Sequence, residues 1–339
     1  MRDIRLYIIL TLTLCSSCTH RFDGVQDNTP VGNMECLWQT LDQKYCFFEE
    51  KDVDWQTIHD QYLPSVKQLS SKDYLGLFDT LASMVNVLND GHVNLYSDFD
   101  MSRCQQWYEG YPDNWDWDVV KEHYLKEYRT AGGAYYNTIA NGKVGYIYVP
   151  DFEHVISANN MAYILRFFIN CRGLIVDVRN NGGGDMSYAY QLAATFFKDD
   201  KTVGYWQHKN GTGHEDFSSL EAQTLRKSDM PSSWLRPVIV LCNRHTYSAA
   251  NFFVSIMRKA DTKVILMGGK SGGGGGMPLS YELPNGWIIR FSSVRMYDVN
   301  KQSIEPGIDP DIEVTDNPQT AVDEIIEKAV LTIQQIPQQ

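Results

Sequence analysis

The amino-acid sequence predicts an α/β core preceded by a small helical domain. From residue 142 onward, short apolar runs typical of strands buried on both faces alternate with amphipathic helical stretches. Before them, residues 31–92 repeat apolar side chains at three- and four-residue steps, which is the period of a helix. The length of 339 residues allows two modest domains or one large one.

The parts follow one another along the chain after residue 30. In the helical domain, 31–92, Asp54 before Trp55 marks a helix start. Residues 93–141 are irregular and rich in Trp and Tyr, and we expect them to connect the helical domain to the core. The core spans 142–316, and its four strand-like runs are residues 144–149, 174–178, 238–242 and 264–267. A last helix is expected within 317–339.

Residues 1–18 have the pattern of an export signal. Two arginines within residues 1–5 precede an almost wholly apolar run, and small residues then lead to Cys18. This predicts a signal peptide over 1–17, of the lipoprotein type if Cys18 is lipidated. An ordinary secretory signal is the alternative. A lipid-anchored protein of the bacterial cell envelope, facing the periplasm, is expected, with the lipid as its only membrane attachment.

Composition excludes several other classes. Hydrophobic residues make up 43% and charged residues 21%, which is ordinary for a globular protein and too apolar for a disordered one. A formal charge of -12 argues against a nucleic-acid partner, since phosphate binding needs a basic face. The five cysteines that follow Cys18 contain no Cys-x-x-Cys pair, so no metal site and no cofactor is expected.

A glycine-rich turn is the first stretch that suggests chemistry. The apolar run from Gly173 leads directly into three glycines, 182–184, and a helical stretch follows at 186–197. Glycines allow a sharp turn and leave amide N–H groups uncovered at a helix N-terminus, where they can stabilise negative charge. This favours an oxyanion hole. A dinucleotide loop is disfavoured because the spacing is not G-x-G-x-x-G, and a structural turn remains the other interpretation.

Two further stretches supply a nucleophile and a base. Ser248 lies where the apolar run 238–242 gives way to a helical stretch, so its hydroxyl and the amide of Ala249 are expected to point the same way. A simple helix-capping serine is the alternative. His92 follows a glycine at the end of the helical domain and is a possible general base, although a lone loop histidine is more often a surface residue.

Together with a fourth stretch, these motifs resemble one family. Asp-Gly-His (90–92), Asp-x-Arg-x-Asn-Gly-Gly-Gly (177–184), Thr-x-Ser-Ala (246–249) and Glu-x-Gly-Ile-x-Pro-Asp-Ile (305–312) occur in the order found in the tail-specific serine peptidases. That superfamily includes C-terminal-processing proteases, the tricorn core protease and interphotoreceptor retinoid-binding proteins. The resemblance implies a crotonase-like core of ββα units and a serine endopeptidase acting on proteins or peptides.

The same resemblance implies roles for single residues. Ser248 matches the nucleophile, and the amides of Gly183 and Ala249 match the oxyanion hole, with Gly182 a near alternative. In the tricorn-like branch a histidine is the base and a glutamate orients it.

His92 and Glu305 occupy the matching places. In C-terminal-processing proteases a loop lysine is the base instead, and that position falls near Gly273 or Gly274 here. Lys270 lies too early in the loop and is the less favoured base.

Two departures from the family pattern bear on function. Residues 93–141 are too short to contain a PDZ domain, so selection of C-termini by that route is not expected. Asn251 stands where many members have a glutamate, three residues after the serine. A non-catalytic binding protein on the same core, like the retinoid-binding relatives, is the alternative function. The oligomeric state and the cleavage preference are left open.

Overall fold

A computed structural model of the protein describes residues 27–228, 233–317 and 320–337. The predicted signal peptide, 1–17, and the predicted lipidation site, Cys18, lie outside these residues. In the part of the chain that the structure describes, no helix has the length and apolar character needed to cross a membrane.

Three helices form the N-terminal region. They are α1 (Pro30–Lys44), α2 (Trp55–Val66) and α3 (Tyr74–Asn86). Each follows a residue whose side chain accepts a hydrogen bond from an amide of the first turn, namely Thr29, Asp54 and Asp73. The helix start predicted at Asp54 is therefore confirmed.

Residues 93–141 contain more regular structure than the sequence pattern predicts. The elements are β1 (Asn94–Tyr96), α4 (Trp117–Val119) continued by a π-helical segment (Val120–Leu125), β2 (Arg129–Ala131) and β3 (Ala134–Ile139). The hairpin of β2 and β3 extends the core sheet by pairing with its next strand. Because these two strands are only partly buried, they lack the continuous apolar run that marks a central strand.

The remaining elements alternate as expected. In chain order they are β4 (Val144–Tyr148), α5 (Ala158–Phe167), β5 (Gly173–Asp177), α6 (Met186–Ala194), β6 (Lys201–His208), β7 (Glu221–Leu225), β8 (Val238–Cys242), α7 (Ala249–Met257), β9 (Val264–Gly268), β10 (Gly276–Glu282), β11 (Ile288–Tyr297), β12 (Ile312–Glu313) and α8 (Glu324–Gln335). The four predicted strands are confirmed as β4, β5, β8 and β9. Helix α8 falls within the stretch predicted to be the C-terminal helix.

The core is a seven-stranded sheet in the order β12-β9-β8-β5-β4-β3-β2. Its strands from β4 to β12 are parallel to one another, and every residue of β4, β5 and β8 is buried. Helices α5, α6 and α7 pack on one face and α8 on the other. Burial on both faces explains why these strands read as continuous apolar runs in the sequence.

A second, antiparallel sheet joins the helical region to the core. Strand β11 pairs with β10 along one edge and with β1 and β6 along the other. Side chains of β11 and the turn before it (Leu283, Trp287, Ile289 and Phe291) share one apolar cluster with α1, α2 and α3. The helical region therefore packs its apolar face against this sheet.

The topology brings three loops and one strand start to the same place. Strands β5, β8 and β9 are parallel, so the loops that follow them emerge at the same edge of the core sheet. Strand β1 begins two residues after His92 and pairs with β11. The loops of the core and the end of the helical region can therefore meet at one cleft.

Candidate active site

Ser248 lies between β8 and α7 with a φ of 55° and a ψ of -121°, a conformation that non-glycine residues rarely adopt. Its amide donates to the carbonyl of Gly273 at 2.9 Å, and the amide of Tyr247 donates to the carbonyl of Asn181 at 3.0 Å. Although Ser248 occupies the N-cap position of α7, its side chain makes no capping hydrogen bond. The hydroxyl instead lies 2.9 Å from Nε2 of His92.

His92 is buried, with 3% of its surface exposed. Its backbone amide donates to Oδ1 of Asp90 at 2.8 Å, and its ring packs against that of Tyr247. Burial lowers the pKa of His92 to about 4; the negative charge of Asp90 opposes this shift, and the positive charges of Arg290 and Lys51 add to it. The imidazole is therefore neutral near pH 7 and able to accept a proton. Its Nδ1 has no hydrogen-bond partner among the described residues.

Glu305, which the resemblance assigns to orienting His92, has other partners in the structure. Its Oε1 lies 2.7 Å from Nζ of Lys51, and its Oε2 accepts the amide of Gly275 at 2.7 Å. The expected contact between Glu305 and His92 is thus missing from the described geometry. The physical reason is that a buried carboxylate needs a counter-charge, and the ammonium of Lys51, from the helical region, lies within contact distance.

Lys51, Asp90 and Glu305 form a buried charge cluster behind His92. Oδ2 of Asp90 accepts hydrogen bonds from the hydroxyls of Tyr45 at 3.1 Å and Ser292 at 2.9 Å. Burial and the charge of Asp90 raise the pKa of Glu305 to about 8, against the lowering effect of Lys51. The pKa of Asp90 is lowered, because Lys51, His92 and its hydrogen bonds outweigh burial. Two carboxyl groups thus share one ammonium, and burial favours the protonated form of Glu305.

The glycine loop 182–184 packs directly against Ser248. Gly183 has a φ of 104°, and a Cβ on it would lie 2.8 Å from the Cβ of Ser248, so no other residue fits there without strain. Its amide donates to Oδ1 of Asn181 at 2.9 Å. Ala249 is the first residue of α7, where the amide has no intrahelical acceptor. Gly182 is exposed, with open space where a side chain would be.

Other residues singled out in the sequence lie in different environments. Nζ of Lys270 is 3.5 Å from Oδ1 of Asp309. The side chain of Asn251 donates to the carbonyl of Ile304 and accepts from the hydroxyl of Ser271. Asn251 therefore ties α7 to the segment that carries Glu305.

The charged residues of the 177–184 motif have a structural part. Arg179 is fully buried and contacts Asp177 at 2.6 Å and Asp323 at 2.8 Å. Asp323 caps α8, so this ion-pair network fastens the strand end before the glycine loop to the C-terminal helix.

A cleft of about 410 Å³ opens over the Ser248–His92 pair. Its walls include the glycine loop 182–184, Tyr247, Arg290, Asp151 and Glu153. Groups of three or more side chains suited to holding a metal ion do not occur among the described residues. The five cysteines in that part of the chain, Cys36, Cys46, Cys104, Cys171 and Cys242, are buried free thiols.

Four residues around this cleft escaped the sequence reasoning. Asp90 was visible as the first residue of the Asp-Gly-His motif, and Asn181 lies within the glycine motif, but neither pattern indicates a contact. Lys51 and Arg290 lie in stretches with no motif, and only the packing of the helical region and the second sheet brings them to the site.

Two family profiles match this chain. The profile of Peptidase family S41 matches residues 143–314, which is half of the chain, and that of the Tricorn protease C1 domain matches residues 28–85.

Curated relatives match more distantly. A CtpA-like serine protease of Staphylococcus saprophyticus is 24% identical over 176 residues, covering 51% of this chain and 34% of the relative. The tricorn protease of Thermoplasma acidophilum is 26% identical over 206 residues, covering 58% of this chain and 17% of the relative. The match to the first of these spans about a third of that relative's length.

Solved structures are similar over most of the chain. A candidate peptidase from Parabacteroides merdae is 43% identical, with a TM-score of 0.85 over 91% of this chain and 97% of that one. Mature CPAF shares the fold at 12% identity, with a TM-score of 0.68 over 90% of this chain and 96% of that one. Since the family profile spans half of the chain and the P. merdae structure nearly all of it, this chain belongs to peptidase family S41, the tail-specific protease family.

Proposed function

We propose that this protein is a serine endopeptidase that hydrolyses peptide bonds of proteins or peptides in the bacterial cell envelope. The observation that carries the proposal is the 2.9 Å contact between Oγ of Ser248 and Nε2 of His92, a buried and uncharged imidazole. Membership of family S41 narrows the chemistry to peptide hydrolysis. The same contact weighs against the alternative of a non-catalytic binding protein, which would have no need of it.

In the proposed reaction, Nε2 of His92 takes the proton of Ser248 as Oγ attacks the scissile carbonyl carbon. The carbonyl electron pair moves onto the oxygen, and the tetrahedral intermediate then expels the amine, which receives the proton from the imidazolium. Water repeats the sequence on the resulting ester and frees the serine. The neutral state of His92 is what allows the first proton transfer near pH 7.

For the oxyanion we propose the amide of Ala249 with one amide of the glycine loop. Gly183 can serve if its amide exchanges the side chain of Asn181 for the oxyanion; Gly182 is the near alternative, supported by its exposure to the cleft. Each such donor contributes about 2.7–4 kcal/mol in enzymes where it has been removed.

Two carboxylates, Glu305 and Asp90, are candidates for the residue that orients His92. The motif resemblance assigns this part to Glu305. The geometry supports Asp90, which bonds the backbone amide of His92 and is the carboxylate that acts on its pKa. Two single variants, Glu305→Gln and Asp90→Asn, distinguish the two candidates. Loss of the true partner of His92 should lower kcat more strongly than loss of the other carboxylate.

Three finer points complete the proposal. The crotonase-like ββα core is supported by the parallel strands β4, β5, β8 and β9, which recur with helices between them. Export and lipidation at Cys18 rest on residues 1–18 alone.

A Ser–Lys dyad through Lys270 is disfavoured, because its ammonium lies by Asp309.

The test is a substitution of Ser248 by Ala in an enzyme whose folding is checked by circular dichroism. We expect the variant to lose cleavage of an unstructured protein and labelling by a fluorophosphonate. The matched control is Ser187→Ala, at an exposed serine in the first turn of α6. Full activity in Ser248→Ala would overturn the proposal.

A further inference from the structure

Arg290 is a half-buried cation in the cleft without an ion-pair or hydrogen-bond partner in the part of the chain that the structure describes. Other arginines around the site are bonded: Arg179 to two carboxylates, and Arg295, on the same strand, to the carbonyl of Cys46. A guanidinium carries five N–H donors, and withdrawing them from water without a partner costs free energy. The donors of Arg290 are therefore available to a group that enters the cleft.

The strand register fixes the face on which Arg290 lies. It is opposite Asn94 of β1, which follows His92 by two residues. Because side chains alternate along a strand, Arg290 shares a face of β11 with Ser292, whose hydroxyl donates to Asp90. The same face of β11 thus supports the base at Ser292 and borders the open cleft at Arg290. Arg290 also acts electrostatically on both His92 and Tyr247.

The two acidic residues of the cleft, Asp151 and Glu153, lie on a wall opposite in charge to Arg290, and Asp151 already has hydrogen-bond partners. Oδ1 of Asp151 accepts two amides and contacts the ring of His154 at 2.9 Å. Glu153 adjoins Gly184, since a Cβ on that glycine would lie 2.7 Å from the amide of Glu153. The cleft therefore has a cationic wall beside the base and an acidic wall beside the glycine loop.

We propose that Arg290 binds a carboxylate of the peptide substrate and so makes the enzyme prefer substrates with a carboxylate close to the scissile bond. This inference rests on the proposed peptidase function. The planar fork of arginine matches a carboxylate with two parallel hydrogen bonds. Because the base also hands its proton to the leaving amine, a group beside His92 faces the residues that follow the scissile bond. An Asp or Glu side chain there, or a nearby terminal carboxylate, has the same chemistry.

The experiment compares matched peptides that differ in one carboxylate. One series exchanges Asn for Asp at the first, second and third positions after the scissile bond, and the other exchanges an amidated for a free C-terminus. We expect kcat/KM to be about 10- to 100-fold higher for the better carboxylate peptide, the range expected for a hydrogen-bonded charge pair. Arg290→Gln should abolish this preference, whereas Arg290→Lys should keep part of it.

The control variant is Arg103→Gln, at an exposed arginine paired with Asp100, and it should keep the full preference. Which series shows the preference identifies the source of the carboxylate. The proposal is overturned if neither series discriminates in the unmodified enzyme, or if Arg290→Gln discriminates equally well. It is also overturned if Arg290→Gln slows all peptides alike while shifting the acid limb of the pH profile, because Arg290 would then act only on His92.

A binding measurement separates this inference from the proposed function. Fluorescence anisotropy with Ser248→Ala needs no turnover, so it measures the affinity difference between carboxylate and amide peptides directly. If the unmodified enzyme cleaves no peptide, the proposed peptidase function is wrong. Whether or not cleavage occurs, equal affinities for carboxylate and amide peptides in the anisotropy assay would overturn the role of Arg290. If neutral peptides are cleaved but carboxylates make no difference, only the role of Arg290 fails.

Discussion

The two partners of the proposed catalytic pair, Ser248 and His92, are held by different physical means. Backbone hydrogen bonds hold Ser248 in place, from its own amide to Gly273 and from Tyr247 to Asn181. His92 is held by a side-chain network in which Asp90 bonds its amide and Lys51 neutralises the carboxylates behind it. The first arrangement is local to loops of the core, whereas the second combines the helical region, β11 and the loop of Glu305.

This difference predicts two kinds of failure. Displacing the nucleophile loop should lower activity at every pH, because the hydrogen bonds that fix the backbone of Ser248 join groups that do not titrate. Disturbing the charge cluster should change the pH dependence and the stability together, because the ionisation of His92 and the folding of the cluster depend on the same charges.

The largest expected effect is removal of the base. His92→Ala should lower kcat by about 10⁴-fold or more, as for members of other catalytic sets that act as a unit. Lys270→Ala, removing a lysine paired with Asp309, should stay within about twofold, since losing a surface ion pair costs little. Burst kinetics with an activated ester would show whether acylation is the step lost. The reverse ranking would make Lys270 the base.

A methyl group on the glycine loop should affect the nucleophile side alone. Gly183→Ala places a Cβ 2.8 Å from that of Ser248 at a φ of 104°, so the nucleophile must shift. A displacement of this kind costs about 100-fold in rate. The ratio of variant to unmodified kcat/KM should be constant between pH 5 and pH 8. Gly110→Ala, at a glycine with open space around it and a φ of 82°, is the control for backbone strain without a clash.

Removing the ammonium of the charge cluster should affect the base side. Lys51→Met leaves the buried carboxylate of Asp90 without the cation that lowers its pKa, and breaking a buried charge pair costs about 3 kcal/mol or more in the free energy of unfolding. Urea denaturation at pH 7 measures this loss. Lys51→Arg keeps the charge and should recover much of it. Equal stability of Lys51→Met and the unmodified protein would show that the cluster is not the support of His92.

The smallest effect is a displacement of the acid limb of the pH profile. Because burial lowers the pKa of His92 to about 4, kcat/KM should hold from neutral pH down to that region and then fall about tenfold per pH unit. Lys51 lowers this pKa, so Lys51→Met should move the limb to higher pH. The kcat/KM values are compared only at pH values at which circular dichroism shows that the protein is folded. An acid limb near 6.5 in the unmodified enzyme would contradict a buried base.

Much of the core could be predicted from short stretches of the sequence. The strands β4, β5 and β8 are buried throughout and β9 over its last three residues, so their apolar runs were visible in the sequence. The hairpin of β2 and β3 was missed because partly buried strands carry no such run. Ser248 could be singled out for a similar local reason, since a polar residue between an apolar strand and a helix is visible without knowledge of the fold.

What the sequence determined by itself is therefore short-range: the order of strands and helices and the glycine turn, together with the residues that we propose as nucleophile and base. Only the tertiary structure decided that Glu305 is bound to Lys51, that the amide of Gly183 is held by Asn181, and that Arg290 faces the cleft. The physical reason is that backbone propensity and burial act over a few residues and leave a pattern. Charge pairing acts through space, so a carboxylate takes the cation that packing brings nearest, wherever that cation lies along the chain.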